Sequence, residues 1–258
     1  MSAAARAAII TVAGVSSRFN EGVPEAERVL KAIYTRTTAR ETLLYQLLRK
    51  CAGMDRIIVV GGYQFEALRR FVEKLDRSLL PPVTLVENTH YADLSSGYSL
   101  YLGIREALAQ GAGEVLFVEG DLDIDDDSFR QVTETPGNVL TRNPEPIFAN
   151  KAVVLYRDGA GRYRYAFNSS HGLLTISEPF SCIYNSGQAW KFADATALGR
   201  ANEAFLADDR AGTNLAIIQR YIDSVPQDSI HVVGLKRWTN CNTRADYDAI
   251  CEFWRDER

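Results

Sequence analysis

Residues 7–18 read AAIITVAGVSSR, an apolar run that leads into a glycine, a valine, two serines and an arginine. An unbroken apolar run, here Ala7–Ala13, is typical of a strand with both faces buried. Similar runs occur at Asp55–Val60, Val83–Val86 and Glu114–Val118. The segments between them carry apolar residues at helical spacing and lie at Arg40–Cys51, Phe65–Leu75 and Ser99–Gln110. Strands that alternate with helices predict βαβ units and a mostly parallel sheet.

The composition narrows the class of protein. The chain has 258 residues and a formal net charge of −4, and this acidic balance disfavours a nucleic-acid partner. Its apolar runs are too short to span a bilayer, and Met1–Ala8 lacks the apolar core of a signal peptide. The four cysteines lack the two-residue spacing of zinc and redox motifs. We therefore expect one cytoplasmic domain over residues 1–258, with reduced thiols and no membrane partner, and a homodimer stays open.

The second half has weaker patterns. Short apolar runs predict strands at Lys151–Tyr156, Tyr163–Phe167, Ser181–Tyr184 and His231–Leu235. Helical spacing predicts helices at Gln188–Leu206, Asn214–Asp223 and Asp246–Trp254. Asp158–Gly161 has the composition of a hairpin turn between the first two of these strands.

The loop after the first strand is the strongest candidate for an anion site. In open α/β sheets, ligands bind beyond the carboxyl ends of the strands. Gly14 is followed by small hydroxyl residues, which leave backbone N–H groups free to bind an anion. Arg18 adds a planar fork that matches phosphate oxygens, and Lys31 adds a compact charge. An ordinary surface loop is the alternative interpretation.

Two other strand ends carry polar residues. Asp121 follows the strand Glu114–Val118, and a carboxylate beside bound phosphates suits Mg²⁺. Asp123 is a further candidate ligand, whereas Asp125–Asp127 is interpreted as a solvated acidic turn. The loop between residues 88 and 99 leads into a helix, where Ser96 could cap the helix or bind a nucleotide. Gly97 would then permit the close approach of a base or ribose.

These residues resemble one enzyme family. The apolar strand, the glycine loop, Arg18, Lys31 and Asp121 resemble the nucleotidylyltransferases of the sugar-phosphate and molybdenum-cofactor type. The motifs Asn88-x-x-Tyr91, Ser99-Leu100 and Asn240-Cys-Asn-Thr-x-x-Asp-Tyr247 look most like phosphocholine and phosphonate cytidylyltransferases. The chain departs from that pattern in three places. Ser16 replaces the second glycine, Leu30 replaces a proline, and Asn242 replaces an aspartate.

The resemblance implies a Rossmann-like three-layer α/β/α nucleotidyltransferase fold with a mostly parallel mixed sheet. It implies transfer of CMP from CTP to a small phosphate or phosphonate acceptor, with Mg²⁺ held by Asp121, Asn242 and Asp123. Lys31 and Arg18 would be the catalytic cations. The nucleotide-binding part would be residues of about 7–130, and the acceptor-binding part would be residues of about 140–240. The implied nucleotide-binding residues are Ala13, Gly14, Val15, Ser16, Ser17, Gly62, Asn88, Ser96, Gly97 and Ser99.

The acceptor and the base remain open at this stage. Tyr184 and Trp190, with Phe180, could cage a quaternary ammonium by cation–π attraction, although Trp190 could equally pack in the core. Arg142 and Lys151 could instead hold an anionic group. A sugar- or polyol-phosphate nucleotidylyltransferase that uses another triphosphate is one alternative, and a non-catalytic nucleotide-binding module is the other.

Overall fold

The computed structural model describes residues 4–76, 80–150, 152–168 and 172–256. Its strands are β1 (Ala5–Thr11), β2 (Arg56–Gly61), β3 (Val83–Glu87), β4 (Ala112–Glu119), β5 (Leu122–Ile124), β6 (Asn138–Arg142), β7 (Val154–Asp158), β8 (Tyr163–Ala166), β9 (Phe180–Phe192), β10 (Ile230–Gly234) and β11 (Trp238–Asn240). Its α-helices are α1 (Leu43–Lys50), α2 (Phe65–Lys74), α3 (Ser96–Ala109), α4 (Asp126–Glu134), α5 (Ala195–Asp208), α6 (Asn214–Ser224) and α7 (Arg244–Asp256).

One mixed sheet organises the fold, in the order β10-β6-β9-β4-β1-β2-β3. The run β4-β1-β2-β3 is parallel, whereas β9 is antiparallel to both β4 and β6. The β7–β8 hairpin extends from the first half of β9, and β5 and β11 form a separate antiparallel pair. In the parallel register, Thr11 lies beside Val60 and Glu119, so the carboxyl ends of three central strands meet at one edge.

Helices cover both faces of this sheet. In β1, Ala7 and Ile9 belong to the core shared with α3, α5 and α6, whereas Ala8 and Ile10 belong to the core shared with α1, α2 and α4. This two-sided burial explains why Ala7–Ile10, the buried part of β1, has only apolar residues. The predicted three-layer α/β/α architecture is confirmed.

A third core joins the two ends of the chain. Phe19 and Leu43 pack with Tyr247, Ile250 and Trp254 of α7. The rings of Phe19 and Tyr247 meet edge to face, with centroids 6.5 Å apart, a geometry that favours aromatic pairs. Helix α7 therefore supports the loop that follows β1.

Two sequence predictions about local structure need correction, one for an acidic turn and one for a helix. Asp125–Asp127 is not a free acidic turn, because the Asp125 carboxylate accepts a hydrogen bond from Ser128 N (2.9 Å) and caps α4. The predicted helix Gln188–Leu206 begins only at Ala195. Gln188–Phe192 is strand, because pairing with β4 and β6 overrides the helical spacing of its apolar residues.

All four cysteines are unpaired in the structure. Cys51, Cys241 and Cys251 are buried, and Cys182 is half-buried. Across the described ranges, no helix is long and apolar enough to cross a membrane.

Trp190 lies in the core, so the predicted aromatic cage is wrong. The side chain is 0% exposed, and its ring stacks on Phe117 with centroids 5.1 Å apart. Its indole N–H donates a hydrogen bond to the Tyr165 hydroxyl (2.8 Å). Phe180 is exposed at the opposite end of β9, about 30 Å away at the rise of an extended strand. The two rings therefore cannot hold one ligand.

The position of Trp190 gives a stability prediction. Trp190→Ala should reduce the free energy of unfolding by about 3–5 kcal/mol, because a large cavity opens beside Phe117. Urea unfolding followed by circular dichroism measures the change. Phe180→Ala, on the exposed end of the same strand, serves as the control and should change stability far less. Equal effects of the two substitutions would contradict this assignment.

Candidate functional site

The loop after β1 keeps a glycine-type backbone at its serine. Ser16 has φ of 55°, in the left-handed region, which costs a residue with a Cβ about 1–2 kcal/mol. Its hydroxyl accepts a hydrogen bond from Lys31 N (3.2 Å), which offsets part of that cost. A Cβ at Gly14 would meet no protein atom within 4 Å, so the loop is open on this side. The loop conformation thus tolerates serine at the second glycine position.

Lys31 and Asp121 form the centre of the site. Lys31 Nζ lies 3.0 Å from Asp121 Oδ2, and their side chains are 14% and 27% exposed. Asp121 follows β4, whereas Lys31 begins a short 3₁₀ turn, so the tertiary fold joins residues that are distant in sequence. Both residues line a cavity of about 150 Å³ together with Gly14, Ser16 and Glu119. An ammonium group beside a carboxylate in a small pocket is suited to binding phosphate and a cation together.

Glu119 is a site residue that the sequence predictions did not include. Burial raises the pKa of Glu119 to about 8, and the negative charge of Asp121 adds to the rise. The Asn214 amide donates a hydrogen bond to Glu119 Oε1 (2.6 Å), and this bond and Lys31 oppose the shift. Its place in the segment Glu119-Gly120-Asp121, at the end of a buried strand, was the available signal.

Arg18 and Asn242 lie at a second, larger recess of about 540 Å³. Arg18 is exposed and has no ion pair within the part of the chain that the structure describes. Asn242 follows Cys241, whose N–H donates to the Asp121 carbonyl (2.8 Å). The two recesses are therefore adjacent, although Arg18 and Asn242 line a different one from Lys31 and Asp121.

Asp123 was predicted as a metal ligand, and the structure corrects this. Its side chain is 0% exposed and is paired with Lys50 (3.4 Å) and Arg237. The Trp254 indole N–H also donates to Asp123 Oδ1 (2.9 Å). Because both carboxylate oxygens have protein partners, Asp123 anchors α7 and α1 to β5 and has no free oxygen for a cation.

The loop from residue 88 to 99 is held by contacts within the protein. The Asn88 amide donates to Ser99 Oγ (2.9 Å), and both side chains are buried. A Cβ at Gly97 would lie 2.5 Å from the Gly212 carbonyl oxygen. The close approach at Gly97 is therefore to another loop, and the predicted nucleotide contacts of Asn88, Gly97 and Ser99 are corrected to structural roles. Ser96 is exposed and accepts a hydrogen bond from Asn214 N (3.2 Å).

The remaining predicted nucleotide residues lie in or beside the β1 loop. The Ala13 carbonyl accepts a hydrogen bond from Tyr63 N (3.0 Å), which ties this loop to the turn after β2. Val15 and Ser17 are exposed. A Cβ at Gly62 would lie 2.5 Å from Tyr91 Cβ, so this glycine permits an internal contact.

The predicted acceptor residues are spread over separate places. Tyr184 is half-buried on β9, with the Arg142 guanidinium 5.4 Å from its ring centroid. It does not line the larger recess, whereas the next residues Asn185, Ser186 and Gln188 do. Lys151 lies outside the described residues.

Comparisons with known proteins assign the chain to a family. Residues 27–254 match the model of a family described as a domain of unknown function (DUF6564). The chain belongs to this family. No curated protein matches the sequence.

Solved structures share the fold of this DUF6564 member. A protein from Bacillus anthracis assigned as a glucose-1-phosphate thymidylyltransferase aligns with a TM-score of 0.70 at 14% identity, covering 98% of this chain and 96% of that one. The inositol-1-phosphate CTP transferase of T. maritima aligns with a TM-score of 0.65 at 15% identity, and the alignment covers 97% of each chain. The CTP:phosphocholine cytidylyltransferase of Streptococcus pneumoniae aligns with a TM-score of 0.61 at 16% identity, and the alignment covers 97% of this chain and 99% of that one. The predicted nucleotidyltransferase fold is confirmed.

The two aspartates near β5 should differ in their effect on stability. Asp123→Ala removes a carboxylate that pairs with Lys50, and the Lys50 side chain is only 3% exposed. It should therefore reduce the free energy of unfolding by about 3–5 kcal/mol. Asp121→Ala frees only the more accessible Lys31 and should cost less. Chemical denaturation of both variants measures the difference, and a larger loss for Asp121→Ala would contradict the structural role of Asp123.

Glu119 predicts a pH dependence of stability. Its pKa is about 8 in the folded protein and about 4.5 as a model group. Between these values the folded state retains a proton that the unfolded chain has released. The free energy of unfolding should therefore fall as pH rises from 4.5 to 8. Glu119→Gln keeps the oxygen that accepts from Asn214 but cannot ionise.

The experiment compares unfolding of wild type and Glu119→Gln across this range in the presence of a chelator. The wild type should lose more stability with rising pH than the variant. Glu114→Gln removes another carboxylate of the same strand and is the control. Parallel pH profiles for wild type and Glu119→Gln would refute the prediction.

Proposed function

We propose that this protein transfers a nucleoside monophosphate from a nucleoside triphosphate to a small phosphate or phosphonate acceptor, with CTP as the donor. The observation that carries the proposal is the Lys31–Asp121 pair at 3.0 Å, beside the open loop at Gly14. A cation, a carboxylate and exposed backbone N–H groups in one small pocket match the needs of phosphoryl chemistry.

The reaction needs no protein nucleophile. An oxygen of the acceptor's phosphate or phosphonate group attacks the α-phosphorus and forms the new P–O bond. The bond from the α-phosphorus to the oxygen that bridges to the β-phosphorus breaks, and pyrophosphate leaves with that electron pair. Catalysis then consists of alignment and stabilisation of negative charge.

The position of each residue in the site suggests which part of the substrates it would contact. Backbone N–H groups of residues 14–18 would bind the β- and γ-phosphates, because the loop is open there. Lys31 would stabilise charge that develops at the α-phosphate. Arg18 is exposed and lies at the larger recess, which suits contact with the acceptor's anionic group.

The donor set near Lys31 suits Mg²⁺. That ion takes one or two carboxylates and completes its shell with water and phosphate oxygens. Asp121 would hold it through the oxygen that does not face Lys31, with the neutral Asn242 amide nearby and Glu119 in the same cavity. In the described residues, no three His, Cys, Asp or Glu side chains form a metal cluster. When bound, the cation would neutralise phosphate charge.

The comparisons support the reaction class. The three related structures carry names of nucleotidylyltransferases, and two of those names specify CTP. A sugar-phosphate acceptor with another triphosphate is the second candidate, since the thymidylyltransferase neighbour has the highest TM-score of the three.

Lys31→Ala should lower kcat by about 100- to 1,000-fold, the usual effect of removing one group that stabilises a transition state. The assay is pyrophosphate release with Mg²⁺, comparing CTP, UTP, ATP and GTP against a panel of phosphate and phosphonate acceptors. Lys74→Ala removes an exposed lysine at the end of α2 and is the matched control.

The nucleotide that supports release identifies the donor. Release with UTP, ATP or GTP in place of CTP would move the donor assignment to another base. Near wild-type turnover of Lys31→Ala, or pyrophosphate release from none of the combinations, would overturn the proposed function.

A further inference from the structure

The larger recess is lined by side-chain amides as well as by Arg18. Its volume of about 540 Å³ falls in the range of small-molecule sites. Asn185 and Gln188 come from β9, Asn240 ends β11, and Asn242 follows it. Amide groups donate and accept hydrogen bonds but carry no charge. The amides therefore give this recess a polar, uncharged part of its wall beside the charged residues Arg18, Glu145 and Asp246.

Two of these amides have a buried oxygen without a hydrogen-bond partner. They are Gln188 Oε1 and Asn240 Oδ1. Buried polar atoms in folded proteins are almost always paired, and an unpaired one disfavours the folded state. Both oxygens belong to residues that line the recess, so a ligand bound there could supply the missing donors.

The backbone at Gln188 points to the same conclusion. Ser16, Gln64 and Gln188 are the described residues other than glycine with positive φ, and Gln188 has φ of 52°. Ser16 and Gln64 use their side chains to accept from Lys31 N and Leu30 N. Gln188 has the same strained backbone, and its backbone N–H donates to Ser186 Oγ (3.2 Å), but no hydrogen bond of its side chain is present in the described structure. Strained backbone conformations cluster at functional sites.

The position of Gln188 explains how the strain arises. Strand β9 pairs with β7 up to Asn185 and with β6 from Ser186. Its register with β6 shifts between Ser186 and Trp190, and its pairing with β4 begins at Ala189, so the irregularity falls at residues 187–189. A Cβ at Gly187 would lie 2.5 Å from Thr141 Oγ1. The tight packing of Gly187 and the left-handed turn at Gln188 place the glutamine on the wall of the recess.

We propose that Gln188 and Asn240 select an acceptor that carries hydroxyl groups beside its phosphate or phosphonate group. This inference rests on the proposed function and names the acceptor class of that reaction. A hydroxyl can donate to an amide oxygen and accept from an amide nitrogen, so it satisfies both side chains. A trimethylammonium group has no donor and would leave both oxygens buried and unpaired.

The lining fixes the direction in which such an acceptor would bind. Arg18 attracts the phosphate or phosphonate group, and the amides of β9 and β11 meet the hydroxyl groups. Asp246 also lines the recess, but its Oδ2 accepts from Asn242 N (2.9 Å) and Thr243 N (2.8 Å). Its carboxylate therefore holds the start of α7. The exposed Glu145 is the other carboxylate of the lining, so the amides are the uncharged side chains that can meet an acceptor's hydroxyl groups.

Calorimetry with matched ligands tests the proposal on the full chain with Mg²⁺ and a saturating triphosphate analogue whose α–β bridging oxygen is replaced by methylene, so that no pyrophosphate can leave. Glycerol 3-phosphate is compared with propyl phosphate, and glucose 1-phosphate with cyclohexyl phosphate, so that each pair differs in its hydroxyl groups. Phosphocholine is the fifth probe. At least one hydroxylated probe should bind more tightly than its matched analogue and than phosphocholine by about tenfold or more, because an analogue without hydroxyls leaves site groups unpaired.

Gln188→Gly and Asn240→Leu should each weaken binding of the preferred hydroxylated probe by about tenfold and leave the affinity for propyl phosphate unchanged. Glycine relieves the left-handed backbone, so the thermal midpoint of Gln188→Gly should not fall in the way expected for a structural residue. Gln131→Ala removes an exposed amide on α4 and is the control.

Three results would overturn the inference: tighter binding of phosphocholine, no binding of any hydroxylated probe, or wild-type affinities in both recess variants. Binding is read independently of turnover. Selective binding of a hydroxylated probe without pyrophosphate release would therefore uphold the acceptor class and reject the proposed reaction.

Discussion

The short segment that carries Lys31 is fixed by two hydrogen bonds, and the candidate site depends on them. Lys31 N donates to the Ser16 hydroxyl, and Leu30 N donates to the Gln64 amide oxygen. Both accepting residues have left-handed backbones, which their side-chain bonds help to stabilise. Ser16 follows β1 and Gln64 follows β2, so the parallel pairing of these strands sets the position of the lysine opposite Asp121.

Much of the N-terminal half could be predicted because its signals are local. Residues Ala7–Ile10 of β1 are buried on both faces of the sheet, and this part of the sequence is accordingly a continuous apolar run. Parallel strands place their carboxyl ends at one edge, so Lys31 and Asp121 could be assigned to one site without knowledge of side-chain geometry. The loop glycine at residue 14 also occupies the open position expected of it.

The C-terminal half was harder to predict because its structure depends on distant partners. Trp190 has the composition of an aromatic ligand site, yet stacking on Phe117 from another strand places it in the core. Asp123 and Asp121 look alike in sequence, and only the packing of Lys50 and Arg237 around Asp123 separates them. Gln188 gave no sequence signal, since its conformation follows from the change of partners along β9.

The support of the first loop by α7 has a consequence for how the protein folds. The Tyr247 hydroxyl donates to the Glu41 carbonyl across a separation of 206 residues, and Phe19 packs in the same core. Contacts of such long range close a large loop and form late relative to neighbouring strands and helices. During synthesis from the N-terminus, β1 to β4 can pair before residues 241–254 leave the ribosome. The sheet can thus exist in a nascent chain in which the loop after β1 still lacks its support, and the candidate site would mature only when α7 docks.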